Sequence, residues 1–107
     1  MEKVYIVYQV WSEQFLDHLA ERDSRNKTVE GVFINEDKAI DYICNRMEKD
    51  YNLITKAFRG DNTARAWLGD RDMIRSSKGQ RAWDRTRRHS DDCDITVSYE
   101  YTSYIVE

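Results

Sequence analysis

Three stretches of this chain are rich in apolar and β-branched residues, either alternating with polar ones or in continuous runs, as is typical of strands. The first is Lys3–Trp11 (KVYIVYQVW), and because both of its faces are apolar it is predicted to lie inside a sheet. A second strand is predicted over Thr28–Ile34, where Gly31 indicates a bulge or a close approach of another backbone. The third covers Cys93–Val106, where the apolar residues change phase and predict a bulge or sharp twist near Thr102.

One long helix is the clearest element of the pattern. Its apolar residues are separated by intervals of 3, 4, 4 and 3, and they are Ile40, Ile43, Met47, Tyr51 and Ile54. Asn35 is the predicted N-cap, and the helix is expected to end near Ala57. A shorter helix is predicted over Ser12–Arg22, followed by a polar turn at Asp23–Lys27.

Residues 59–92, named here the basic segment, have no apolar period that lasts beyond two turns. Gly60, Gly69 and Gly79 divide this segment at intervals of about ten residues. Short helices are predicted at Thr63–Leu68, Arg71–Lys78 and Arg81–Arg88.

The expected fold is a single α+β domain over residues 1–107. A small antiparallel sheet of about three strands is covered by the long helix, and the basic segment is a mostly helical insertion before the last strand. Because no run of about 20 apolar residues exists, no membrane partner is expected, and the protein is predicted to be cytoplasmic. Cys44 and Cys93 are expected to be reduced thiols, and the chain is expected to be a monomer or a dimer.

Charge separates the basic segment from the rest of the chain. Residues 56–88 hold ten Lys or Arg against four Asp, a net charge of +6, whereas the remainder carries −9. The predicted binding residues are cations and two tryptophans of this region, namely Arg65, Trp67, Arg71, Arg75, Lys78, Arg81, Trp83, Arg85 and Arg88. If residues 71–88 formed one helix, their cations would lie in a single stripe about 25 Å long.

Three interpretations of these residues remain open at this stage. In the first, the tryptophans are buried anchors and the arginines pair with the acidic remainder of the chain. In the second, the Arg/Trp-rich stretch 59–88 binds RNA or single-stranded DNA, because arginine pairs with phosphates and aromatic rings stack on bases. In the third, the same residues dock on an acidic protein surface.

Catalytic chemistry has little support in the sequence. His89–Asp94 (HSDDCD), together with Cys44 or His18, contains residue types that bind zinc, but it lacks the paired ligand spacing of known zinc sites. We therefore expect a non-enzymatic protein, with a small metal-dependent hydrolase as the one enzymatic possibility and direct RNA or single-stranded DNA binding as the main alternative function. No cofactor or metal is predicted.

Three stretches carry a resemblance to a class of proteins. They are VYIVYQVW at the start, GVFINEDKAIDYI at the strand-to-helix junction and YEYTSYIVE at the end. The chain resembles small accessory proteins encoded by bacteriophages and prophages. This resemblance implies a protein that binds and inhibits or redirects a host protein or ribonucleoprotein complex, for example a nucleic-acid-processing or defence complex. The basic segment has no counterpart in the resemblance, which therefore implies nothing about it.

Overall fold

The structure, a computed structural model, describes residues 2–15, 23–87 and 93–106. Five strands and two helices form within these ranges. In chain order they are β1 (Glu2–Phe15), β2 (Asp23–Phe33), α1 (Glu36–Ala57), β3 (Ala64–Ala66), α2 (Arg71–Ser77), β4 (Gly79–Arg87) and β5 (Cys93–Val106).

The strands form one antiparallel sheet in the order β2-β1-β5-β4-β3. The two longest strands, β1 and β5, pair at its centre from Glu2 with Val106 to Phe15 with Cys93. The prediction that β1 is internal is confirmed. The prediction of about three strands was wrong, because the basic segment supplies two further strands, β3 and β4.

Helix α1 packs on one face of this sheet, which we call the covered face. Asn35 caps the helix, since its side-chain oxygen accepts a hydrogen bond from the Lys38 backbone N–H at 2.8 Å. The predicted apolar stripe points inward, and α2 adds Ile74 beside it. The core contains Val7, Ala39, Ile40, Ile43, Met47, Ile74, Ala82, Tyr99 and Tyr101. No helix in the described ranges is both long and apolar enough to cross a bilayer.

The basic segment is not mostly helical. The helix predicted at Arg71–Lys78 is present as α2, but the one predicted at Thr63–Leu68 is replaced by β3. The helix predicted at Arg81–Arg88 is also wrong, because β4 extends through Arg87 and pairs with both β3 and β5. These backbone pairings link positions far apart in sequence, and local spacing does not reveal them. The single cationic stripe therefore does not form.

Two further predictions need correction at the start of the chain. The helix predicted over Ser12–Arg22 is wrong at its first residues, since Ser12–Phe15 continue β1, while residues 16–22 lie outside the described residues. The turn predicted at Asp23–Lys27 is the first half of β2. In both places the backbone pairing of β1 with β2 prevails over local turn and helix signals.

No bulge is found near Thr102 of the last strand, where one was predicted, whereas the bulge that Gly31 indicated in the second strand is present. The register between β1 and β5 has no shift near Thr102, and the apolar residues change phase there because Tyr104 and Val106 point away from the covered face. One bulge is found in β2 next to Gly31, where Glu30 is the extra residue between Val29 and Gly31. The other is found in β4 at Ala82.

Candidate functional site

Three of the predicted binding residues form ion pairs between α2 and α1. Arg75 donates to Glu36 and to Asp37, each at 2.7 Å, and Lys78 lies 3.8 Å from Glu36. Arg71 forms a hydrogen-bonded ion pair with Asp41. The hydrogen bond from Arg75 holds the pKa of the Asp37 carboxyl below its usual value.

Two more of the predicted binding residues, Arg85 and Trp83, make their contacts on the covered face. The Arg85 guanidinium lies 4.2 Å from the centre of the Phe58 ring and 3.5 Å from an Asp61 oxygen. Trp83 packs against the core, with its ring edge-on to Trp11 at a centroid distance of 5.6 Å. These contacts, like those of α2, agree with the interpretation of internal charge pairing.

The predicted residues Arg65 and Arg81 meet at a buried carboxylate. Arg65 donates to both oxygens of Asp84, at 3.1 and 2.9 Å, and Arg81 lies 3.6 Å from the same side chain. The Arg65 guanidinium also lies 5.5 Å from the ring of Trp67, which is partly buried against the core. Both arginines remain more than half exposed, at 64 % and 55 % of their side chains. Arg88 lies outside the described residues.

The opposite face of the sheet, which we call the uncovered face, carries no helix within the described part of the chain. It is formed by the even-numbered positions of β1 and β5 and by their cross-strand partners, because Val7, Tyr99 and Tyr101 point to the core and side chains alternate along a strand. This face has two chemically different ends.

At one end the uncovered face is mostly hydrophobic, and Thr102, opposite Ile6, is a polar residue within it. Side chains of three neighbouring strands meet there, and this set, named the apolar end, is Val4, Ile6, Tyr8, Val29, Val32, Tyr104 and Val106. Val29 and Val32 are 56 % and 60 % exposed, and Tyr104 is 47 % exposed. The Tyr8 and Tyr104 hydroxyls lie 3.2 Å apart.

An ion pair separates the two ends. Lys27 of β2 and Glu100 of β5 lie 2.8 Å apart although β1 runs between their strands, so the pair crosses above β1 between Tyr8 and Val10. The Lys27 ammonium is also 4.3 Å from the centre of the Tyr8 ring. The hydrogen bond to Glu100 raises the pKa of Lys27, which favours its charged form.

Beyond this ion pair the uncovered face is a shallow groove, which we name the cationic groove; cations and hydroxyls line it together with the carboxylates of Asp84, Asp94 and Glu100. It consists of two adjoining clefts of about 480 and 250 Å³ that share Ser12, Arg81 and Thr96. The floor contains Val10 and Ser98 as well. Arg25 borders the groove on β2, and Arg65 and Arg81 border it on the other side; Lys78 also lines it, but its ammonium lies near Glu36 of α1. Sequence reasoning missed Arg25 and Lys27, although their alternation with Val29 continues the strand pattern.

A buried polar network lies on the covered face, away from the groove. The Tyr99 hydroxyl donates to the Asp50 carboxylate and accepts from Gln9 at 3.1 Å and from Arg46 at 3.0 Å. Tyr99 is fully buried and Asp50 is 8 % exposed. Burial, together with the carboxylate, raises the pKa of Tyr99 far above its usual range, so the hydroxyl stays protonated. This network joins β1, β5 and α1, and it serves packing.

The residues considered as zinc ligands in the sequence lie mostly outside the described ranges, and within those ranges no group of three His, Cys, Asp or Glu could hold a metal. His18 and residues 89–92 lie outside these ranges. Cys44 is a free, partly buried thiol beside Gly69, and burial raises its pKa.

Comparisons with known proteins do not assign the chain to a family. No protein-family model matches it, and neither a curated protein nor a solved structure matches it. The functional interpretation therefore depends on the uncovered face itself.

Proposed function

We propose that this protein is a non-enzymatic binding protein that docks on a host macromolecular complex through the apolar end of its sheet. One observation carries the proposal: aliphatic and aromatic side chains of three strands remain exposed together on a face that no described helix covers. Contiguous exposed apolar surface of this kind marks interaction sites in folded proteins. The resemblance to phage accessory proteins, which inhibit or redirect host factors, supports the same function.

The shape of the apolar end favours a helix of the partner protein as the occupant. Three strands and seven residues of β1 give a footprint of about 14 Å by 20 Å, roughly 300 Å². This is well below the roughly 800 Å² per partner that a stable homodimer buries. An amphipathic helix about 10 Å wide and about 13 residues long matches this footprint.

The chemistry of the face agrees with this choice. Its strands already pair with one another, so only side chains are available and the occupant must satisfy its own backbone hydrogen bonds. A helix does so internally, and the partner helix would mirror α1 on the covered face. Bound in this way, the protein would block or redirect the host surface from which the helix comes.

The test combines affinity capture with site-specific cross-linking. Immobilised wild-type protein is incubated with nuclease-treated bacterial lysate, beside a variant carrying Val29→Ser and Val32→Ser. The matched control is Leu53→Ser, which changes an equally exposed aliphatic residue (64 %) on the outer side of α1.

We expect a host protein that the wild type and the control retain and the double variant loses. A photoactivatable side chain at position 29 should cross-link to an amphipathic helical segment of that protein. Capture that is the same for all three proteins, or cross-links to the chain itself, would refute the proposal.

A further inference from the structure

We propose that the cationic groove binds the phosphate backbone of a single-stranded nucleic acid, with a base in the adjoining cleft of Trp67 and Met73. This inference goes beyond the proposed function, because it concerns the other end of the uncovered face and a different partner. It also relocates nucleic-acid binding from a helical stripe of the basic segment to a sheet surface.

The first argument is the arrangement of cations across the sheet. Strand register places one transverse row of five side chains on the uncovered face, and the row is Arg25, Ser12, Thr96, Asp84 and Arg65. With strands about 4.8 Å apart, this row spans roughly 19 Å between its two arginines. Arg81 stands in the next row, opposite Ser98. An elongated array of this kind suits a chain of phosphates better than a single small anion.

The second argument concerns which charges remain available. The groove contains Asp84, but its buried carboxylate is shared by Arg65 and Arg81, so the three side chains together keep one positive charge. Asp94 also lines the second cleft, but it lies one row beyond Thr96, on the side away from Arg81. Glu100 is already held by Lys27. One terminal nitrogen of Arg81 lies 3.6 Å from Asp84, and the Arg81 side chain is 55 % exposed and lines both clefts of the groove. The hydroxyls of the floor are donors of the kind that bind phosphate and sugar oxygens.

The third argument is the neighbouring apolar cleft. About 420 Å³ of space is lined by Trp67, Met73, Ser77, Gly79, Gln80 and Arg81. Because Arg81 borders both spaces, a strand whose phosphates follow the groove passes the mouth of this cleft. An aromatic ring and a thioether beside a guanidinium form a site where an unstacked base can bind. A base reaches it only when it is unpaired, so the ligand is single-stranded.

The test is fluorescence anisotropy with labelled single-stranded DNA and RNA of about 12 nucleotides and purified protein. Arg25 and the one positive charge that Arg65 and Arg81 keep beside Asp84 would neutralise two phosphates, so the logarithm of the affinity should fall with the logarithm of the salt concentration with a slope of about −1.4. The affinity should then drop roughly sevenfold between about 50 and 200 mM salt.

Two arginine variants and two controls locate the site. Arg25→Ala and Arg81→Ala should each weaken binding roughly fivefold and lower the salt slope by about 0.7. Arg25→Ala leaves Asp84 and its partners intact, so its effect cannot come from a disturbed carboxylate. Lys49→Ala, an exposed cation on α1, should bind as the wild type does, and so should Val29→Ser at the apolar end.

Met73→Ser should weaken binding without changing the salt slope, because it alters only the cleft. The proposal is overturned if the wild type binds neither oligonucleotide at low salt, or if Lys49→Ala weakens binding as much as Arg25→Ala. Equal affinity for poly-glutamate or for a duplex would also overturn it. None of these outcomes depends on Val29 and Val32, so this inference and the proposed function can fail separately.

Discussion

The substitution Tyr99→Phe tests the buried polar network, and a second tyrosine of the same strand offers a matched control. Tyr99 and Tyr101 are both buried on the covered face, two positions apart in β5. The Tyr99 hydroxyl has three hydrogen-bond partners, one of them the Asp50 carboxylate. The Tyr101 hydroxyl has none among the described residues, although Lys78 lies 5.4 Å from its ring.

The two changes should therefore differ in cost. Removing the Tyr99 hydroxyl takes a donor from a buried carboxylate, and hydrogen bonds to charged groups contribute about 1.5–3 kcal/mol. Gln9 and Arg46 are partly exposed, so water can replace the acceptor that they lose. We expect Tyr99→Phe to lower the free energy of unfolding by about 2 kcal/mol. Tyr101→Phe removes a buried hydroxyl without a partner and should be neutral or stabilising.

Urea unfolding followed by circular dichroism measures both variants, and an unchanged m value would confirm that the unfolded state is the same. The double variant Tyr99→Phe/Asp50→Leu completes a cycle that isolates the coupling between hydroxyl and carboxylate. Equal effects of Tyr99→Phe and Tyr101→Phe, or a coupling below about 0.5 kcal/mol, would refute the reasoning.

Two further predictions concern the junction of α2 with the rest of the protein. Arg75→Ala should flatten the acid dependence of stability: the lowered pKa of Asp37 contributes stability above its unfolded value of about 3.8, and this is lost as the pH falls through the folded pKa. The urea midpoints of the wild type and of Arg75→Ala should converge as the pH falls from about 7 to about 2.5. Midpoint curves that stay parallel over this range would contradict the prediction. Gly79→Ala should destabilise by about 1–3 kcal/mol, because the added Cβ would lie 2.7 Å from the Tyr99 carbonyl oxygen. Gly60→Ala, where the Cβ meets nothing within 4 Å but φ is +81°, measures backbone strain alone.

The sequence predicted the elements whose stability comes from local patterns. Helix α1 has a cap and an apolar period that agree with each other, and β1 and β5 are rich in β-branched and aromatic residues. The sequence did not predict β4, because its pattern is ambiguous. Arg81 and Arg85 have the spacing of one helix face, and the alternation of residues 81, 83, 85 and 87 fits a strand equally well. The bulge at Ala82 further weakens the strand pattern there.

The candidate site was predicted only in part for the same reason. Arg65, Trp67 and Arg81 lie beside one another around the proposed groove, whereas Arg71 and Arg75 form ion pairs between the two helices. Arg25 joins the site through the pairing of β2 with β1, in the stretch Asp23–Lys27 that the sequence predicted to be a turn. Long-range strand register, which a single sequence does not encode locally, decides which cations share a surface.

The bulge at Glu30 has a consequence for how this protein behaves at high concentration. A sheet of five strands exposes two edges, and unpaired edge groups can recruit the strands of other molecules into aggregates. Here β3, at one edge, is three residues long. At the other edge, β2 is interrupted where Glu30 is inserted. The edge at β3 is short and the edge at β2 is interrupted after Val29, so both are poorer templates for edge-to-edge pairing than long unbroken strands, while the apolar end stays exposed.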